Sequence, residues 1–283
     1  MRQVRALWHV CTAVVAVGAL TSCGIFGSSA EPVDAPPPGG PKLTVGIKFD
    51  QPGLGQKTGD NTFAGFDVDV ARYVAKELGV HPGNITFVEA KSAERETLLE
   101  QGKVDLVAAT YSISDSRKKK VDFAGPYFVA GQALLVRKTT SDITGPESLN
   151  QSDWKLCSVQ GSTPAEKVKQ AYAKNVTLRV FPSYPECLVA LEDPEDPVDA
   201  VTTDDVILAG YAAAQPEKFK LVGKPFSQER YGIGLRKGDE RTPKVTAALR
   251  KMVSDGSWKR AVEANIGKSG YKIPEPPEVL DSP

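Results

Sequence analysis

Residues 106–122, LVAATYSISDSRKKKVD, constrain this chain more than any other stretch. Leu106, Val107, Ala108 and Ala109 form a short apolar run that suits a buried parallel strand. The chain then turns polar through Thr110, Tyr111 and Ser112, and Ser114 is placed to cap a helix with Asp115 in its first turn. Arg117 is out of place there, because the first turn of a helix disfavours cations. A bound anion would account for it, held by free N–H groups, Ser112 and a bidentate guanidinium. The alternative is an exposed arginine leading the basic run 117–120.

The same strand-to-helix rhythm extends on both sides. Residues 43–47 read as a strand that delivers Lys48 at its carboxyl end, and 49–59 as a Gly-rich loop. Gly65-Phe66-Asp67-Val68-Asp69 opens a helix whose Val70, Val74 and Leu78 share one face. Asp67 and Asp69 are expected to cap that helix and pair with its dipole rather than hold a metal. A strand at 85–89, a helix at 93–100 containing Arg95 and a strand at 106–109 complete a βαβαβ run. Such a run implies a parallel sheet covered by helices, with ligands beyond the carboxyl ends of its strands. Lys48 and residues 110–112 lie at such ends.

Residues 133–137 read as a strand leaving this lobe, and 138–154 are turn-rich. The rhythm then restarts, with strands at 155–159, 178–181 and 199–202 and helices at 163–173, 184–191 and 205–214. A short strand follows at 219–222. Residues 231–235 look like a strand returning to the first lobe, where helices 243–254 and 257–266 finish the chain. The expectation is an α/β protein of two lobes, 42–137 plus 230–270 and 138–229. They would be joined by crossovers near 137–140 and 225–230, with a loose Pro-rich tail at 271–283. No sequence repeat relates the lobes.

Composition narrows the function. The 283 residues carry 35 basic and 35 acidic side chains, which gives no electrostatic case for nucleic acid. No apolar run after residue 20 reaches the ~20 residues a membrane span needs. Arg2 and Arg5 followed by the apolar run 10–20 read as a targeting segment. Residues 31–41, EPVDAPPPGGP, read as an extended spacer of ~3.1 Å per residue. His81 is the one histidine beyond the targeting segment, and no metal-ligand spacing surrounds it. No Ser–His or Cys–His pair and no phosphate loop is present, so neither an enzyme nor a cofactor is expected.

Ala109-Thr110-Tyr111-Ser112-Ile113-Ser114-Asp115-Ser116-Arg117-Lys118-Lys119, followed by Val121-Asp122-Phe123-Ala124-Gly125-Pro126-Tyr127, resembles a known signature. It is that of the family-3 bacterial extracellular solute-binding proteins, receptors of polar amino-acid ABC importers. The resemblance covers about residues 42–267. It implies two Rossmann-like α/β lobes of the periplasmic-binding-protein type II, with the ligand in the cleft. Arg117 and Ser112 match the clamp for an α-carboxylate, and the Thr110 carbonyl matches the acceptor of an α-ammonium. In the second lobe, Asp199-Ala200-Val201-Thr202-Thr203-Asp204 matches the strand ending in the ammonium-binding Asp204. Gly161 and Thr163, in Gly161-Ser162-Thr163, match a small loop that reaches the ligand. A plain helix N-cap is the other reading of Asp204.

Lys48 and Arg95 set the expected substrate. Ser92-Ala93-Glu94-Arg95 resembles the Ser-x-x-Arg of acidic-amino-acid receptors, and two further buried cations call for a second ligand carboxylate. Glutamate or aspartate is therefore expected, unless both cations are solvated surface charges. The family's aromatic cradle after the first strand is replaced by Phe49-Asp50-Gln51-Pro52-Gly53-Leu54-Gly55, which is similar to actinobacterial glutamate-binding lipoproteins. Phe49, Phe63 and Tyr127 are the candidates to lie over the ligand stem.

Leu20-Thr21-Ser22-Cys23-Gly24 resembles a lipobox. It implies a signal peptide at 1–22, a palmitate-type lipid on Cys23, a tether at 23–41 and a place on the outer face of the cell membrane. Cys157 and Cys187 then remain in an oxidising compartment, where a disulfide between them is expected and two separate thiols are the alternative. The expected partners are an acidic amino acid and an ABC permease, with the protein itself a monomer. A sensor lipoprotein that signals to a membrane partner, or a dehydratase-like enzyme on the same scaffold, are the competing functions.

Overall fold

The computed structural model describes residues 39–283. The targeting segment, Cys23 and the tether as far as residue 38 lie outside the described residues. The first half of the chain runs β1 (Leu43–Ile47), β2 (Asp50–Gln51), β3 (Gly55–Gly59), β4 (Thr62–Ala64), α1 (Phe66–Glu77), β5 (Ile85–Glu89), α2 (Arg95–Glu100), β6 (Leu106–Val107), α3 (Asp115–Lys118) and β7 (Val121–Ala130). Then come β8 (Gln132–Arg137), β9 (Lys155–Val159), α4 (Pro164–Ala171), β10 (Thr177–Phe181), α5 (Tyr184–Glu192), β11 (Ala200–Asp204), α6 (Asp205–Ala214) and β12 (Phe219–Val222). The chain ends with β13 (Glu229–Arg236), α7 (Thr242–Ser254) and α8 (Ser257–Ile266).

Two five-stranded sheets form, in the orders β5-β1-β6-β13-β7 and β10-β9-β11-β8-β12. In each, the first three strands are parallel and the fourth runs antiparallel to the third. The lobes thus share one topology, a repeat of geometry that their sequences do not show. Apolar helix stripes cover the sheets, as with Val70 and Val74 of α1, which are fully buried while the opposite face is solvated. Cys157 of β9 and Cys187 of α5 are joined by a disulfide with Cα atoms 5.7 Å apart, inside the second lobe. Closing a loop of that size in the unfolded chain contributes on the order of 3–4 kcal/mol.

Three expectations are corrected, and one strand is added. Strand β8 belongs to the second sheet, where it pairs with β11 and β12, so the first crossover lies at residues 130–132 and not 137–140. An apolar run such as Leu134-Leu135-Val136 fits the centre of either sheet, so its sequence does not say which. The added strand is the edge strand β7 at residues 121–130, paired along β13 and carrying Gly125 and Pro126 in its middle. An edge tolerates proline because one side of the strand donates to no neighbour. Residues 49–59 are not a plain loop, since β2 and β3 lie within a small three-stranded sheet with β4. Finally, the tail is docked: the Leu280 amide donates to the Gly125 carbonyl at 2.8 Å, and the Val279 carbonyl accepts from Arg250. A Pro-rich segment is already extended, so laying it along the first lobe costs little further entropy.

Candidate functional site

Each lobe directs the carboxyl ends of its parallel strands at the other, the place where open α/β sheets bind ligands. In the first lobe Lys48 follows β1, Ser92 follows β5, and residues 110–112 follow β6. In the second, residues 161–163 follow β9, Tyr184 opens α5 after β10, and Asp204 ends β11. Gln51, Arg95, Thr110, Ser112 and Arg117 line one space from the first lobe, and Thr163, Tyr184 and Asp204 line it from the second. Six of the eight residues singled out in the sequence therefore meet around a single space. Gly161 lines the adjoining outer cleft beside Arg117. Lys48 stands back from the space, donating from Nζ to Ser92 Oγ at 3.0 Å.

Thr110 is held in a conformation that non-glycine residues avoid, with φ at +45°. Its amide donates to Asp67 Oδ2 at 2.8 Å, and Asp67 Oδ1 accepts from the Tyr127 hydroxyl at 2.7 Å. Asp67 is thus not a helix cap: Gly65 holds the N-cap position, and Asp67 is fully buried beneath the Thr110 turn. Burial pushes its carboxyl up to about 6 despite those two donors. Strain of this kind persists only where the surroundings enforce it. The enforced turn aims the carbonyl that follows β6.

Three cations are buried in this lobe. Arg117 is 8% exposed; its Nη1 donates to the Ser112 carbonyl at 2.7 Å and its Nε lies 3.3 Å from Glu96 Oε1. Ser114 caps α3, its hydroxyl accepting from the Arg117 amide. Arg95 is 2% exposed and donates to the carbonyls of Ser92 at 3.3 Å, Ala109 at 3.1 Å and Thr110 at 3.4 Å, while its guanidinium stacks 4.3 Å from the Tyr111 ring. Among the described residues, neither Arg95 nor Lys48 has a carboxylate within ion-pair distance. Burial, then the charge of Arg95, pushes the Lys48 ammonium down to about 8. Both are buried, so neither is a solvated surface charge.

Asp204 is 3% exposed and stands at the N-cap of α6 without bonding to its amides. Its Oδ2 accepts from the Tyr231 hydroxyl at 2.6 Å, and its Oδ1 has no partner among the described residues. Burial, then the nearby Glu229 carboxylate, pushes it up to about 7. Glu229 itself accepts from Gln132, Ser227, Lys167 and Thr163, binding both crossovers to α4 and the residue before it.

The lobes touch in a closed arrangement. Arg117 Nη2 donates across the cleft to the Gly161 carbonyl at 2.9 Å, and the Tyr211 hydroxyl donates to the Asp50 carbonyl at 2.8 Å. Gly161 has φ at +73°, and a Cβ there would meet Ala93 Cα at 2.6 Å. That approach requires glycine.

None of the three aromatic candidates faces the space. Phe49 packs on Phe63, which packs on Phe87, with centroids 5.1 and 5.2 Å apart, and Tyr127 is buried against Phe66 and Asp67. The aromatic ring in the lining is Tyr184, and Gln51 lines the space from β2 of the first lobe. Both were missed by sequence reasoning. Position after a parallel strand would have found Tyr184, whereas a glutamine in a segment that reads as a Gly-rich loop carries no such signal. Among the described residues no cluster of His, Cys, Asp and Glu is arranged to hold a metal, and no helix is long and apolar enough to cross a membrane.

Comparison with known proteins gives the family and the fold. The profile of the bacterial extracellular solute-binding proteins, family 3, matches residues 43–268. The glutamate-binding protein GluB of Corynebacterium glutamicum is 43% identical over 82% of this chain and 81% of its own. The ABC transporter glutamine-binding protein GlnH of Bacillus subtilis is 36% identical over 86% of this chain and 90% of its own. Among solved structures, an ancestral arginine-binding protein bound to glutamine superposes with a TM-score of 0.73 at 36% identity, covering 80% of this chain and 98% of that one. These relatives are binding proteins rather than enzymes, and the shared fold is that of the type II periplasmic binding proteins. The chain therefore belongs to the family-3 bacterial extracellular solute-binding proteins.

Proposed function

We propose that this protein captures an acidic amino acid, glutamate or aspartate, between its lobes and delivers it to an ABC permease. The observation that carries the substrate class is the pair of buried cations, Lys48 and Arg95, without an ion-pair partner beside the space. A buried charge left unpaired is strongly unfavourable, and a second ligand carboxylate would compensate both. Arg117 and Ser112 would hold the α-carboxylate, with the loop at Gly161 and Thr163 closing over it. The Thr110 carbonyl and Asp204 Oδ1 would hold the α-ammonium. Because the two lobes would hold opposite ends of one zwitterion, only the closed form would satisfy both charges. The named ligands of relatives, glutamate and glutamine, support an amino acid of this size.

The further reading is of a monomer hung from the outer face of the cell membrane by a lipid on Cys23, with the Pro-rich segment as spacer. Calorimetry on Arg117→Ala and Asp204→Ala tests the binding assignment. Each change leaves one ligand charge buried without its partner, a loss of ~3–5 kcal/mol or two to four decades of affinity. Wild-type affinity for glutamate in either variant would remove that residue from the site.

A further inference from the structure

One buried polar group lining the space between the lobes is left unused by the assignment of the ligand's α-groups. Gln51 is 1% exposed and lines the space, and its Nε2 has no hydrogen-bond partner among the described residues. A buried donor without an acceptor is costly, and such groups are kept where something else supplies the partner. The backbone around it is fixed, because Gln51 pairs with Gly55 in the small sheet and Pro52 follows. Pro52 also packs across the cleft, its carbonyl oxygen 2.4 Å from where a Cβ on Gly210 of α6 would lie. The other unpartnered atom lining the space, Asp204 Oδ1, faces it from the opposite lobe. One donor lacks an acceptor and one acceptor lacks a donor. An amino acid with an ammonium and a side-chain oxygen would satisfy both.

We infer that Gln51 determines specificity by reading the ligand's side chain: its Nε2 donates to a side-chain oxygen of the bound amino acid. The inference rests on the reading that Arg117 and Asp204 hold the α-carboxylate and α-ammonium. Thr110 sets the direction of the amide. Its hydroxyl lies 3.1 Å from Gln51 Oε1 and 2.8 Å from the Ala109 carbonyl, and it has one proton to give. Donated to Gln51, that proton turns the amide N–H groups into the space, as a ligand oxygen requires. Donated to Ala109, it frees the amide to turn over and offer its carbonyl, as a cationic side chain would require. With the Thr110 proton on Gln51 Oε1, the arrangement in which Nε2 is left without a partner, Gln51 selects for oxygen in the ligand side chain, while Arg95 and Lys48 distinguish a charged carboxylate from a neutral amide.

The test uses calorimetry on the mature protein with glutamate, glutamine and norvaline, whose side chain is apolar. Gln51→Met keeps the length and removes the donor. It should weaken glutamate about 10- to 100-fold and norvaline by no more than about threefold. Gln51→Glu keeps the shape and replaces the donor with a negative charge. It should weaken glutamate at least about 100-fold and move the glutamate-to-glutamine ratio about tenfold or more toward glutamine. Thermal unfolding of both variants reports whether the fold is intact, and if Gln51→Met unfolds early the isosteric Gln51→Glu decides. An unchanged glutamate-to-norvaline ratio in Gln51→Met overturns the inference, as does wild-type glutamate affinity in Gln51→Glu. If those results accompany wild-type glutamate binding that Arg117→Ala and Asp204→Ala abolish, this inference alone falls. If wild type binds neither glutamate nor glutamine, the underlying reading falls with it.

Discussion

Changing Gly161→Ala should uncouple ligand affinity from fold stability, because the space it needs is closed only when the lobes are together. A Cβ at residue 161 would stand 2.6 Å from Ala93 Cα, 2.8 Å from Ala93 N and 3.0 Å from the Ser92 carbonyl carbon. Carbon atoms normally rest about 3.5–4.0 Å apart, so relief needs a movement of about 1 Å. The obstructing atoms are backbone and cannot rotate away, so the lobes must part. That movement carries the Arg117–Gly161 hydrogen bond, 2.9 Å long, past the usual limit of about 3.5 Å. A hydrogen bond from a charged donor contributes roughly 1.5–3 kcal/mol, so the closed form loses that much relative to the open one. Apparent affinity scales with the closed population and should fall about 10- to 100-fold. The left-handed φ costs an alanine about 1 kcal/mol in either form, which lowers the melting temperature by only a few degrees. Calorimetry would read the affinity, and small-angle scattering the compaction on adding glutamate. Wild-type affinity with full compaction would refute the reasoning, since it would mean that the lobes close without that contact.

The remaining predictions concern Asp204 and the membrane anchor. Asp204 sits at about 7 in the fold, above the 3.8 of a free aspartate, so as a raised group it favours the fold when protonated. Its contribution to unliganded stability is present below about pH 4 and lost as pH rises through 7. Ligand affinity runs the other way, because an ammonium needs the ionised form. Affinity should be full above about pH 8 and about 100-fold weaker at pH 5, and a flat calorimetric profile would exclude Asp204 as the ammonium partner. Changing Cys23→Ala should release the protein into the medium or leave it unprocessed; normal processing with full membrane retention would rule out the lipid anchor.

Much of the fold was legible because its strands are short, apolar and sharply bounded. Lys155–Val159 and Asp205–Ala214 are read correctly for that reason: each is a run of one character between clear turn or capping residues. The course between lobes was not legible, because Gln132–Arg137 has the apolar pattern of a central strand and nothing in it names its sheet. No strand is read in the sequence over Val121–Ala130, whose middle holds Gly125 and Pro126, residues uncommon inside strands. In the site, Arg117 was conspicuous because a cation in a helix's first turn asks for an explanation. Asp67 was misread because an aspartate in a first turn already has one, although the fold uses it to hold Thr110. Gln51 had no sequence signal, since its importance comes from burial and from lacking a partner.

The central claim is that buried cations beside the cleft select a ligand with two carboxylates. Calorimetric competition on the mature wild-type protein among glutamate, aspartate, glutamine, asparagine and arginine measures it directly. Glutamate or aspartate should bind tightest, with glutamine weaker than glutamate by at least ~2 kcal/mol, about thirtyfold, because its neutral amide leaves Arg95 and Lys48 uncompensated. Tighter binding of glutamine or of arginine would contradict the account.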